Sequence, residues 1–78
     1  MSRPYTTESI FRAIADPTRR KMLDILRKGD RTVGDLGSEF RLSKPAITQH
    51  LRTLRVVGLV QTRRRGRGLV CEINPSLL

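Results

Sequence analysis

Apolar positions recur at helical spacing over the first three quarters of the chain, and then the period changes. Ile10, Phe11 and Ile14 mark one face of a short helix over about 7–15. Asp16-Pro17 restarts the pattern, because aspartate caps free amides and proline fits the first helical position. The second helix runs over about 17–28, burying Met22, Leu23 and Leu26 with Ile25 alongside, and Gly29 closes it. Thr32 caps a third, over about 33–41, with Asp35 completing a weak capping box and Val33, Leu36 and Phe40 as its apolar face. After the turn Arg41-Leu42-Ser43, Ser43 caps a fourth over about 44–57, with Ile47, Leu51 and Leu54 facing inward. Gly58 stops it, with Leu59 folded back on Leu54.

Beyond Gly58 the spacing turns to two. Stretches of about 59–65 and 69–74 read as strands around Gly66-Arg67-Gly68. In the second, Leu69, Cys71 and Ile73 share the inward face, and Val70 and Glu72 the outward one. Asn74-Pro75 repeats the cap-and-proline signal, so 75–78 opens a last helix, while residues 1–6 read as a loose arm. The fold class is mainly α with a small β-hairpin, in a single domain spanning 1–78. Two short helices joined by a three-residue turn, followed by a hairpin, make a winged helix-turn-helix.

Size changes the picture first. A chain of 78 residues builds a core too small to supply much net stability, so a dimer partner is expected. A lone cysteine, Cys71, rules out an internal disulfide and a cysteine-rich zinc site. No apolar run approaches the roughly 18 residues of a membrane span, and Met1-Ser2-Arg3-Pro4 does not begin a secretory signal. A cytoplasmic protein is expected.

Charge changes it more. The net formal charge is +9, and it is lopsided. Residues 1–40 hold eight basic and six acidic side chains, a net of +2; residues 41–78 hold eight basic ones and only Glu72, a net of +7. Such a field suits a polyanion. Tyr5, Phe11 and Phe40 are the aromatics, and none lies in the basic half. Single-stranded nucleic acid, which stacks on aromatics, and a membrane surface, which wants them opposite a basic face, are both disfavoured. The expected partner is double-stranded DNA.

A helix fits the major groove, about 12 Å wide, if it presents polar groups opposite its core stripe. In the fourth helix Lys44, Pro45, Thr48, Gln49 and Arg52 point outward, and His50 lies at the margin. Gln49 can bond adenine with both amide atoms, and Thr48 reaches a base edge or a phosphate. Ser43 and Lys44, at the helix start, suit phosphate. Arg63, Arg64, Arg65 and Arg67 load the hairpin with guanidinium groups fit for backbone phosphates or a narrow minor groove. The same arginines would also serve a non-specific or architectural nucleic-acid binder. A protein-docking module is a third reading, opposed by the excess positive charge. No nucleophile, paired carboxylates or phosphate loop accompanies these residues, so neither an enzyme nor a cofactor is expected.

From about Phe11 to Asn74 the chain resembles the ArsR-type winged-helix repressors of bacteria. The resemblance rests on Ala13-Ile14-Ala15-Asp16-Pro17-Thr18-Arg19, Leu42-Ser43, Thr48-Gln49-His50-Leu51-Arg52-Thr53-Leu54 and Gly58-Leu59-Val60. It implies a homodimeric repressor on an inverted-repeat operator near its own promoter, whose DNA affinity an effector usually lowers. Metal-sensing members often carry Cys-Val-Cys-Asp-Leu at the third helix, where this chain reads Thr32-Val33-Gly34-Asp35-Leu36. Arsenite or cadmium sensing through that site is therefore not expected. In the family a helix after the wing pairs with the first helix across the dimer. Here the sequence stops within the first turn of that helix, so either it is truncated before the dimerisation helix or it dimerises through the first helix alone.

Overall fold

A computed structural model describes residues 6–77. Of the arm expected over 1–6, all but Thr6 lies outside the described residues, as does Leu78 of the last expected helix. The elements are α1 (Thr7–Ile14), α2 (Pro17–Lys28), β1 (Arg31–Thr32), α3 (Val33–Phe40), α4 (Lys44–Val56), β2 (Val60–Arg65) and β3 (Gly68–Ile73), then a 3-10 turn at Pro75–Leu77.

Each helix begins where a short oxygen-bearing side chain can satisfy a free amide. Thr6 accepts from the Ser9 amide at 3.1 Å, Asp16 from Arg19 at 3.0 Å, and Ser43 from Ala46 at 3.3 Å. At α3 the exchange is reciprocal. The Asp35 amide donates to Thr32 Oγ1 at 2.9 Å, and the Thr32 amide donates to Asp35 Oδ2 at 3.1 Å.

Two helices end in the same way with different residues. At the close of α4, Gly58 takes φ 82°, its amide donates to the Arg55 carbonyl at 2.9 Å, and the Leu59 amide donates to Leu54 at 3.0 Å. That is a Schellman ending built on glycine. At the close of α3, Arg41 occupies the left-handed position with φ 56°, and the Leu42 amide reaches the Gly37 carbonyl at 3.1 Å. A side chain there costs about 1–2 kcal/mol relative to the right-handed form.

The core lies between α2, α3, α4 and the sheet. Met22, Leu36, Ile47, Leu54, Val60 and Cys71 are essentially fully buried, with Ile25, Leu26 and Leu51 close behind. Each buried aliphatic side chain contributes about 1.5–3 kcal/mol. Ile25 thus takes the place expected for Leu23, which is only partly buried. In α1 the side chain turned fully inward is Ala13, whereas Phe11 stands 63% exposed.

The sheet has three strands, not two, in the order β1-β3-β2, all antiparallel. Arg31 pairs with Cys71 and Thr32 with Val70, so a two-residue strand edges the hairpin. The hairpin closes on the two-residue loop Gly66-Arg67, with Gly66 at φ 60° and Arg65 paired with Gly68. A positive φ at the first loop position alone is the type II′ signature, whose twist matches that of the strands. Gly68 therefore belongs to the strand. The expected alternation in β3 also fails at one step: Val70 is buried and Leu69 is 41% exposed. Among the described residues, no helix is long and apolar enough to cross a membrane.

Candidate nucleic-acid interface

Helix α4 follows α3 after the turn at 41–43, which is the helix-turn-helix geometry. Ile47, Leu51 and Leu54 are locked in the core, and this fixes the rotation of the helix about its axis. The opposite stripe, Lys44, Pro45, Thr48, Gln49 and Arg52, is exposed along with the capping Ser43. Among the described residues, the side chains of Lys44, Thr48, Gln49 and Arg52 take no hydrogen-bond or ion-pair partner. Polar groups held at fixed positions with their bonding capacity unspent are what direct readout of a base edge requires. The stripe also forms one wall of an open groove of about 1000 Å³, whose other wall comes from Ser9, Arg12 and Ala13 of α1 and Arg19 of α2. Arg12, Arg19, Lys44 and Arg52 line it, with no acidic side chain among the lining residues.

His50 is half-buried and committed. Arg19 Nη1 lies 3.3 Å from His50 Nδ1, and Asp16 Oδ2 is 4.0 Å from the same nitrogen. Arg19 also donates through Nε to the Ala13 carbonyl. The amide of Arg19, burial opposing it and then the charges of Arg19 and His50, leave the Asp16 carboxyl below its ordinary range. The joint between α1 and α2 is thus tied to the middle of α4. That brace escaped the sequence reading, although Asp16, Arg19 and His50 were all visible in it.

The hairpin arginines divide into two kinds. Arg64, Arg65 and Arg67 are exposed and, among the described residues, unpartnered. Arg63, expected to face phosphate with them, instead donates through Nη2 to Asp30 at 3.0 Å and through Nε to Glu72 at 3.3 Å. Glu72 also accepts from Gln61 Nε2, and these two donors, Gln61 first, hold its carboxyl below the ordinary range. Cys71 is completely buried, and burial pushes its thiol up, as an inert packing cysteine requires. Among the described residues, no cluster of three histidine, cysteine or acidic side chains is placed to hold a metal ion.

Residues 16–62, from the Asp16 cap through the helix-turn-helix into β2, match the family described as bacterial regulatory protein, arsR family. The chain belongs to the ArsR family. The transcriptional repressor SdpR of Bacillus subtilis (strain 168) is 41% identical over 70 residues, covering 90% of this chain and 78% of SdpR. Reduced HlyU from Vibrio cholerae superposes with a TM-score of 0.83 at 31% identity, covering 90% of this chain and 74% of that one. A homodimeric winged helix-turn-helix DNA-binding domain from Mycobacterium bovis, a possible ArsR-family regulator, gives 0.84 at 26% identity. There the match covers 88% of this chain and 64% of the other, so this ArsR chain spans just under two thirds of that domain. The winged helix-turn-helix fold expected from the sequence is the fold observed. An ArsR-family protein of this kind is a DNA-binding transcription regulator and not an enzyme.

Proposed function

We propose that the chain is a homodimeric, sequence-specific repressor working on an inverted-repeat operator. In this reading residues 1–78 act as one winged helix-turn-helix unit in the cytoplasm, where the DNA is. Ser43, Lys44 and Pro45 meet the backbone at the groove edge, Thr48, Gln49 and Arg52 reach base edges, and Arg64, Arg65 and Arg67 grip flanking phosphates. His50 serves from behind, by holding α4. The observation that carries the reading is the exposed, unpartnered stripe on a helix whose other side is anchored by Ile47, Leu51 and Leu54. The repressor name of SdpR and the homodimer named for the mycobacterial domain support the other two parts.

Footprinting on DNA upstream of the chain's own coding region, with the mass of the complex measured alongside, tests it. Protection should fall on two half-sites about 34 Å apart, one helical turn, under two copies of the chain. It should survive roughly a thousandfold excess of unrelated DNA. Uniform coating that disappears under competition is the outcome of an architectural binder.

A further inference from the structure

We infer that Asp30, Arg63 and Glu72 form a clasp that sets the pose of the wing on DNA, and that Arg63 is a positioning residue and not a phosphate contact. The inference rests on the DNA-binding reading above and refines it at one of its arginines.

The topology makes the clasp a cross-sheet device. Arg63 lies on β2, one outer strand, and Asp30 immediately precedes β1, the other. A bond between them has to pass over the middle strand β3. The row beneath it is Thr32, Val70 and Arg63, paired in register, and Val70 in that row is 5% exposed. Val70 is on the sheet face opposite Cys71 and the core, where alternation would leave it open to solvent. A long side chain laid across β3 explains its burial, because an arginine stem covers apolar surface while its head stays polar. Glu72, diagonal to Arg63 on β3, is the one acid of residues 41–78, and it too is spent on this cluster. Two carboxylates beside a phosphate-binding hairpin repel the ligand. Holding the hairpin at one angle to the body offsets that penalty.

The test measures binding of a fluorescent duplex carrying the footprinted upstream DNA, over a salt series, for Asp30→Asn, Glu72→Gln, Arg63→Gln, Arg63→Lys and Arg64→Gln. Removing an acid should tighten binding if charge alone matters. The clasp demands the reverse, a weakening of about two- to fivefold for Asp30→Asn, the span an exposed ion pair supports. Arg63→Lys keeps the charge but offers one ammonium nitrogen in place of the separate Nε and Nη2 that reach Glu72 and Asp30, so it should fall with Arg63→Gln. The slope of log affinity against log salt should stay at the wild-type value in Arg63→Gln and drop by about 0.9 in Arg64→Gln. Should Asp30→Asn fail to fold, Glu72→Gln carries the same opposite-sign test. Tighter binding by an acid variant, or equal slope losses for Arg63→Gln and Arg64→Gln, overturns the clasp while leaving the DNA reading intact. A wild-type chain that binds no duplex removes both.

Discussion

Arg19, in the first turn of α2, points its guanidinium at Nδ1 of His50, 3.3 Å away in the recognition helix α4. Arginine has only donors, so with a neutral ring this contact needs Nδ1 as acceptor and the hydrogen on Nε2; the Asp16 carboxylate, 4.0 Å from Nδ1, pairs with the ring only when it is charged. The neutral imidazole should therefore show the Nε2–H form in a long-range proton–nitrogen spectrum recorded at alkaline pH. The Nδ1–H pattern would break the brace between the helical joint and α4.

That brace marks the boundary of what the chain discloses on inspection. The caps at Asp16, Thr32 and Ser43 and the stop at Gly58 were legible because each involves residues within one turn of each other. The core stripe of α4 was legible for the same reason. Strand β1 was not, since two residues carry no period. The Arg63–Asp30 bond joins positions 33 apart and depends on the sheet order. Val70 reads as an outward residue, yet it is 5% exposed. At Arg41 no glycine announces the left-handed turn, so the sequence pattern runs to 41 where the helix ends at Phe40.

Gln49→Ala should leave the urea midpoint of the free protein unchanged, because the side chain is exposed and unpartnered. Operator binding should weaken by about 1–3 kcal/mol, with preference relaxed at a single base pair. Binding titrations over a set of singly substituted operators read this out. Uniform weakening across all of them would move Gln49 from base to backbone.

Arg64 and Arg67, changed together to alanine, should weaken binding to any duplex. The salt slope should fall by about 1.8, or 0.9 for each lost phosphate contact. An unaltered slope would take the wing off the DNA.

Arg41→Gly should stabilise the free chain by about 0.5–1 kcal/mol, since glycine removes the left-handed strain and gives back part of the gain as unfolded-state freedom. Thermal unfolding checks it. A lower midpoint would mean that the Arg41 side chain holds the turn before α4.

Acid stability should depend on Asp16. Its folded carboxyl titrates below the ordinary 3.8, so the unfolded chain binds that proton more readily. The stabilisation is present above about pH 4 and is lost as pH falls through the folded value. Asp16→Asn retains a capping oxygen but has no such proton, so its urea midpoint should change less between pH 5 and pH 2 than that of the parent. Parallel curves for the two proteins would assign the acid limb to other carboxyls, Glu72 first among them.

Asn74 fastens the far end of β3 to the place where α4 becomes β2. Its side-chain amide donates to the Gly58 carbonyl at 2.9 Å, and its backbone amide donates to Leu59 at 3.0 Å. Two hydrogen bonds thus tie the hairpin to the end of α4 in the free chain, the two elements proposed to meet the duplex. On the proposed DNA reading, every bond already made in the free chain is ordering that encounter does not have to supply.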